Sequence, residues 1–460
     1  MPPSWKLSII IPIYKKGEKT NPENYRPISL TSICCKVMEG IIKDSIVSFF
    51  SNSPFLFHHQ SAFLPGKSTN SQLLQFTDLL TSHVSKDQQV DSAYIDFAKA
   101  FDSVSHPKLL HKLKFLGIGG PLLKWVECFL TDRRQCVKVG NSLSFWSPVL
   151  SGIPQGSVIG PLLFLAYIND LRFVSSCPMF IFADDAKCVT TIKTLEDCVL
   201  FQKVLDCIFD WSNTWQLPLS INNCNVISFY LNSEPIIFTY QMGGQPILRV
   251  EKVSDLGIDY CSNLSFTTHI HKIRLSARIR SAQILRCFSS RDAHLMYLAF
   301  KTYVRPLLEY NSNVWSPYKL GDIRKLESIQ RRFTKNLKGM KNLSYIDRLK
   351  ALKSSTLESR RILADLVMYY KIMHGMVDLP RDLIFTLKPA QRSTRGHSLT
   401  LAKPKIVNNI DRYTFKNRHV NLWNILPDQI VNSPSLNAFK MKVKQLDIIN
   451  LTSKANACIT

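Results

Sequence analysis

Met179-Phe180-Ile181-Phe182-Ala183-Asp184-Asp185-Ala186 is the stretch on which the fold is decided. Apolar runs on both sides of two adjacent carboxylates predict strands over Met179–Ala183 and Ala186–Thr191, joined by a tight turn at Asp184-Asp185. Two neighbouring carboxylates repel unless a metal or an arginine neutralises them. A solvated Asp-Asp turn explains the pair equally well when it is read alone. Moving upstream, Ser151-Gly152-Ile153-Pro154-Gln155-Gly156-Ser157 forms a loop that enters an apolar helix, Pro161–Leu171. Farther upstream, Tyr94-Ile95-Asp96-Phe97-Ala98-Lys99-Ala100-Phe101-Asp102 places a carboxylate at the end of an apolar strand, 91–97. An ionised Asp there is costly to bury unless a cation meets it, and on its own it reads as a helix N-cap. Taken together, the segments supply what two-metal phosphoryl transfer requires: one carboxylate ending a buried strand and another on a hairpin.

The remaining pattern mixes strands and helices. Leu7–Tyr14 reads as a strand leading to the basic turn Lys15-Lys16-Gly17, and a helix carries Val37, Ile41, Ile42 and Ile46. Residues 71–86 and 194–215 read as helices, and 107–131 as two helices broken at Gly117–Pro121. Cys136–Val139 and Phe145–Val149 read as strands about a turn at Asn141, and 225–230 and 246–250 as two more. From about 268 onward, basic amphipathic helices take over. Gln391–His397 reads as a linker before a small helical tail.

The chain has 460 residues, 58 Lys+Arg against 34 Asp+Glu, a formal charge of +24 and 45% hydrophobic residues. Such a composition excludes a disordered chain and favours a polyanionic partner. Residues 271–375 hold 22 Lys/Arg against 7 Asp/Glu, which locates a cationic surface. The twelve cysteines show no zinc spacing and are read as reduced, mostly core thiols. The longest apolar run, Val158–Ile168, is about half of a membrane span, so no membrane partner and an intracellular protein are expected.

The ordered triple of segments resembles motifs A, B and C of reverse transcriptases, in the form found in non-LTR retroelements of the jockey and CR1 kind. Further matches are Asn24-Tyr25-Arg26-Pro27-Ile28, Gln60 through Thr69 (Gln-Ser-Ala-Phe-Leu-Pro-Gly-Lys-Ser-Thr) and Leu256-Gly257. Later ones are Tyr303–Tyr310 with Trp315, Gln330–Lys335, and Leu422–Pro427 followed by Phe439-Lys440. The resemblance implies an α+β right-hand polymerase, with fingers, an antiparallel palm sheet and a helical C-terminal thumb. Its divisions would be 1–265 for partial fingers and palm, 266–390 for the basic thumb, and 391–460 for linker and tail. It implies RNA-directed DNA synthesis from dNTPs on an RNA template, extending a DNA primer or RNA–DNA duplex with two Mg2+ ions, or Mn2+ in their place. Asp96, Asp184 and Asp185 would be the catalytic metal ligands. Lys15, Lys16 and Arg26 would clamp the triphosphate, Phe101 would exclude a 2′-hydroxyl, and Gln155 and Gly156 would lie under the incoming base. Phe63 and Lys67 would face the template. Arg324, Lys325, Arg331, Arg332, Lys335 and Lys338 would hold duplex phosphates.

The sequence departs from that pattern at two positions. Leu64 stands where Arg is common, and Asn223 stands before Cys224 where a Lys would act as general acid. The resemblance also implies an upstream endonuclease and further fingers, so a truncated element is expected, acting in nucleus and cytoplasm. The rival expectation is a catalytically silent nucleic-acid-binding remnant. A weaker one, an RNA-templated RNA polymerase, is opposed by Phe101.

Overall fold

A computed structural model describes residues 1–51, 60–232, 234–388, 397–403 and 405–457. The expected linker lies mostly outside the described residues. The chain divides into two compact units, and neither is continuous in sequence. The first comprises Met1–Pro65, Asp91–Val226 and Ile236–Arg249; the second comprises Gly66–Val90, Ile227–Pro235 and Val250–Thr460.

In chain order the strands are β1 (Leu7–Tyr14), β2 (Tyr25–Leu30), β3 (Gln89–Ile95), β4 (Arg134–Val139), β5 (Ser142–Leu143), β6 (Ser147–Pro148), β7 (Met179–Phe182) and β8 (Asp185–Ile192). They continue with β9 (Asn225–Phe229), β10 (Gln241–Met242), β11 (Gln245–Pro246), β12 (Leu248–Arg249), β13 (Lys252–Asp255) and β14 (Ile258–Cys261). One sheet of the first unit runs β2-β1-β4-β5, with β6 also paired to β4. The sheet that carries the acidic segments runs β12-β9-β3-β8-β7.

The sheets are not purely antiparallel. β7 and β8 pair antiparallel, but β12 runs parallel to β9 and β1 runs parallel to β4. The hairpin turn also sits one residue earlier than the sequence suggested. Phe182 pairs with Asp185, so Ala183 and Asp184 form the turn and Asp185 opens β8. Ala183 has φ +56° and Asp184 does not share the left-handed region, the φ pattern of a type II′ hairpin turn.

The core beneath this sheet draws on five helices: Ile33–Ser51, His106–Phe115, Gly120–Leu130, Gly160–Ile168 and Leu195–Trp215. Gly160–Ile168 is buried at nearly every position, in keeping with its all-apolar sequence. Leu195–Trp215 is started by a capping box in which Thr194 and Asp197 satisfy each other's backbone N–H groups. Ile33–Ser51 buries Cys35, Ile42, Ile46 and Phe50, while Val37 and Ile41 point outward, contrary to the apolar face expected from sequence. The reason is Glu39, fully buried on that helix, whose Oε2 accepts from the N–H groups of Val158 and Ile159 at 2.6 and 3.1 Å. Satisfying a helix start from across the core fixes which face turns inward.

The second unit is mainly helical. The β13–β14 hairpin turns at Leu256-Gly257, both at positive φ, and a Cβ on Gly257 would lie 3.1 Å from the Tyr310 ring. Helices Thr267–Cys287, Ala293–Tyr303, Leu320–Lys335 and Leu357–Met373 follow. Trp315, Phe333, Tyr369, Trp423 and Phe439 are buried among them. Of the tail residues Leu422–Pro427, Leu422, Trp423 and Leu426 therefore belong to the core of this unit, while Ile425 and Pro427 are exposed. Asp365, fully buried, accepts from Arg418 at 2.7 and 2.8 Å and from Asn313 at 2.9 Å, with His419 at 3.2 Å. Asn313 in turn accepts from Asn70 at 2.7 Å. Among the described residues no helix is long and apolar enough to cross a membrane, and the described cysteines are free.

Candidate active site

Asp96 follows the last residue of β3, and its backbone is held from both sides. Its carbonyl accepts from Ser220 N–H at 2.8 Å, and its N–H lies 3.4 Å from Cys224 Sγ. Next along the chain, Ala98 N–H donates to Pro218 O at 2.8 Å. The carboxylate is half-buried, and its Oδ2 accepts from Asn223 Nδ2 at 2.7 Å. The position where a general-acid lysine was expected thus bonds the first carboxylate directly.

Asp184 is half-buried in the hairpin turn. Burial pushes its carboxyl up from the ordinary value and the charge of Asp96 adds to the rise, while Lys15 and Arg26 oppose it. Asp96, Asp184, Lys15 and Arg26 therefore occupy one electrostatic neighbourhood. Asp185 is exposed, one step along the strand. Among the described residues no three His, Cys, Asp or Glu side chains lie close enough together to hold a metal ion. The structure brings two of the three expected carboxylates together and leaves the third beside them. Lys16 is exposed in the same basic turn as Lys15.

The hairpin is pinned by a residue that the sequence reading quoted but gave no role. Gln60, almost fully buried, accepts at Oε1 from Ala183 N–H at 3.2 Å and from Ala62 N–H at 3.0 Å. Ser61 N–H donates to Ile181 O at 3.0 Å, so this segment runs as a parallel bridge along β7. One side-chain oxygen thereby satisfies the N–H of a left-handed alanine directly before Asp184. Gln60→Leu leaves two buried donors without an acceptor and is expected to cost about 2–4 kcal/mol. Gln60→Glu keeps the acceptor. Amide hydrogen exchange should speed up at Ala62 and Ala183 in the leucine variant alone; equal exchange in both variants would show that the oxygen is not the clamp.

The loop Ser151–Ser157 is stitched to the segment after Asp96. Ile153 N–H donates to Phe101 O and Gly152 N–H to Val104 O, each at 2.8 Å, and Ser151 Oγ donates to Asp102 O at 3.0 Å. A Cβ on Gly152 would lie 2.7 Å from Asp102 Cα, and one on Gly156 would lie 2.6 Å from Ser29 O. Both glycines are required by close backbone contacts within the protein. Gln155 is anchored as well: its Nε2 donates to Asp102 Oδ1 at 3.0 Å, and its carbonyl accepts from Ser29 N–H at 2.7 Å. The Phe101 ring stacks on Phe164 at 4.4 Å with the planes 18° apart, which fixes its orientation.

The other expected contacts are distributed as follows. Phe63 is exposed, with φ +56°. Lys67 is largely buried in an ion pair with Asp378 at 3.0 Å. On the helix Leu320–Lys335, Arg324, Arg331, Arg332 and Lys335 are exposed, as is Lys338 beyond it. Spacings of seven and four residues put Arg324, Arg331 and Lys335 on one face. Lys325 is paired with Asp322 at 3.0 Å, and the Arg331 guanidinium lies 4.9 Å from the Tyr345 ring centre.

A strand-end carboxylate beside a hairpin carboxylate, with two cations near the latter and an adjoining glycine loop, is an arrangement suited to phosphoryl groups and a hard cation. The family model for reverse transcriptase (RNA-dependent DNA polymerase) matches residues 13–260, over half of the chain, and the chain belongs to that family. Its relatives include a probable RNA-directed DNA polymerase from transposon X-element of Drosophila melanogaster, 28% identical over 74% of this chain and 38% of that protein. The RNA-directed DNA polymerase from mobile element jockey of the same species is 26% identical over 74% of this chain and 38% of that protein. The chain thus spans somewhat over a third of the length of these relatives. Among solved structures, apo telomerase from Candida tropicalis aligns over 82% of this chain and 62% of that one, with a TM-score of 0.44 and 11% identity.

Proposed function

We propose that this chain is the polymerase portion of a non-LTR retrotransposon reverse transcriptase, joining dNTPs to a primer 3′-hydroxyl on an RNA template. The observation that carries the reading is the pairing of Asp96 with Asp184 under the charges of Lys15 and Arg26. The donors suit Mg2+, which takes oxygen ligands and is commonly held by one or two carboxylates. Mn2+ accepts the same set. Asp96 and Asp184 would hold the ions, with Asp185 adjacent. Bound ions supply activation of the attacking hydroxyl and neutralisation of the departing pyrophosphate. Lys15, Lys16 and Arg26 bind the triphosphate, the cationic groups suited to it. Phe101, locked on Phe164, sets the room available at the sugar and excludes a 2′-hydroxyl. The exposed face of Arg324, Arg331 and Lys335 carries the duplex by its phosphates, and residues 266–390 act as the thumb.

The test is primer extension on an RNA template with Mg2+, beside an Asp184→Asn control. Extension with dNTPs by the native chain alone supports the reading. Efficient use of rNTPs would remove Phe101 from its role.

A second reading, binding without turnover, is favoured by one observation: Asn223, which cannot act as a general acid, bonds Asp96 at 2.7 Å. Under the first reading, Asn223→Lys is expected to raise turnover about tenfold or more, the low end and below of general-acid effects. Salt-sensitive duplex binding with no extension by either form would instead establish the second.

A further inference from the structure

The second unit holds a cavity of about 340 Å3, lined among others by Tyr318 and Lys319, both exposed. Its volume sits at the lower end of the range of about 300–1,000 Å3 typical of small-ligand sites. The walls come from distant parts of the chain, among them the helix Thr69–Val84, the turn before the helix Thr267–Cys287, residues 314–319 and the tail at 410–414. Trp315, already singled out in the sequence, is one of them. Its Nε1 donates to Tyr310 O at 2.8 Å, so its indole offers the cavity ring surface alone. Tyr318 and Tyr413 stack on each other with ring centres 4.0 Å apart and planes 3° apart. Such a pair presents a flat wall on which a further planar group can stack.

Several hydroxyls of the lining are spent on the protein itself: Thr81 Oγ1 donates to Thr77 O and Thr414 Oγ1 to Asp411 O, each at 2.8 Å. Asp322 is different. It is the one carboxylate among the described lining residues, and it is 5% exposed. Its Oδ2 accepts from Thr267 Oγ1, also in the lining, at 3.3 Å, and its Oδ1 accepts from Lys325 at 3.0 Å. With the Thr267 proton committed to Asp322, Ser265 Oγ donates to Thr267 Oγ1 at 3.2 Å, so the hydroxyl protons run toward the carboxylate. An ionised carboxylate offers about four acceptor positions and no donor, which leaves room for a ligand's N–H groups. The Lys319 ammonium lies 6.0 Å from the centre of the Tyr318 ring, where it can meet an anion carried by the same ligand.

We propose that this cavity takes a guanine base, stacked on the Tyr318–Tyr413 pair, with its donor edge toward Asp322 and its phosphate toward Lys319. The choice of base follows from an acceptor that never donates. Uracil offers a single N–H between two carbonyls, and adenine and cytosine each offer an amino group beside a bare ring nitrogen that a carboxylate repels. Guanine alone presents N1–H and an amino group side by side. A phenyl or indole ring of a protein brings neither that donor pair nor an anion for Lys319. Unpaired bases of RNA are read in this way, by stacking on aromatic rings and hydrogen bonds to the base edge; a free guanine nucleotide carries the same chemistry. No lining residue belongs to the candidate active site, so a chain that never extends a primer would still show the preference.

The test measures binding of fluorescent RNA heptamers, all uridine or with one central guanosine, to the native chain, Asp322→Asn and Tyr318→Ala. The central guanosine should tighten binding to the native chain about tenfold to a hundredfold, the scale of hydrogen bonds to a charged group. Inosine, which keeps N1–H and lacks the amino group, should fall between. Both variants should lose the preference and bind the all-uridine heptamer as the native chain does. Equal binding of the two heptamers by the native chain overturns the proposal, and that arm needs no variant to fold. A preference that survives in Tyr318→Ala, with Asp322→Asn weakened equally on both heptamers and melting lower, overturns it in favour of Asp322 as a support for its own helix. Saturable binding of p-cresol, lost in Tyr318→Ala and without any guanine preference, overturns it in favour of a partner protein's aromatic side chain. Competition separates the two sources of the base: displacement of the guanosine heptamer by an equal concentration of guanosine 5′-monophosphate assigns the site to a free nucleotide, and displacement only at large excess assigns it to an RNA strand.

Discussion

Asp184→Asn is expected to lower primer extension by about three orders of magnitude or more while raising the melting temperature by roughly a few degrees. The loss follows if Asp184 carries a metal, because several kcal/mol of charge stabilisation depend on that ligand. The gain follows from burial and from Asp96, which together push the folded-state carboxyl above its ordinary value. A raised carboxyl pKa means that ionisation opposes folding at every pH above the unfolded value of about 3.9. The asparagine variant is free of that opposition at neutral pH. Its advantage should shrink as the pH falls and vanish once both carboxyls are neutral. Mg2+ should stabilise the native chain toward heat and leave the variant unchanged, since only a bound ion adds linkage stability. A variant that melts no higher than the native chain at pH 7 would show that Asp184 carries no stored repulsion.

The second large effect is structural. Asp365→Ala is expected to destabilise the second unit by about 3–5 kcal/mol, because Arg418, with 7% of its side chain exposed, would be left as an uncompensated buried charge. For a unit of this size that corresponds to a fall in melting temperature on the order of 10 °C. Burial alone would push the Asp365 carboxyl up, but Arg418 and His419 outweigh it and hold it below the usual range. The stability it contributes is therefore complete above the unfolded carboxyl value of about 3.9 and is lost as the pH falls through the lower folded value. Acid titration of the native chain should show this loss, and the alanine variant should lack it. A flat profile in both would exclude Asp365 as its source.

The acidic segments were legible in the sequence because each combines an apolar strand with a carboxylate that the strand does not need. The same signal placed the hairpin but misplaced its turn by one residue. Nothing in Ala183-Asp184-Asp185 announces that an alanine will adopt φ +56°; the Gln60 oxygen that favours it lies far away in sequence. Gly156 was expected to allow close approach of the incoming base, but the backbone that comes close to it is Ser29 of the protein itself, as Asp102 does to Gly152, which spacing cannot reveal. Val37 and Ile41 looked like core and lie outside, because a buried glutamate took the inward face of their helix. Lys67 looked available and is paired with Asp378. In each case the deciding partner is remote in sequence, where local pattern carries no information. Parallel pairing of β12 with β9 escaped notice for the same reason, since two-residue strands have no period.

The hydrogen bond from Asn70 to Asn313 spans 243 positions of sequence. Its consequence appears in time. A ribosome adds about 5–20 residues per second, so the helix Thr69–Val84 emerges on the order of ten to fifty seconds before that partner is made. Leu73, Leu74, Phe76 and Leu80 are all buried in the finished unit, and the first rings of that unit to meet Phe76, those of Phe229 and Tyr260, themselves come well over a hundred residues later. The nascent chain must spend the first part of that interval with an apolar helix face exposed, a demand on chaperones that is imposed by the order of the segments.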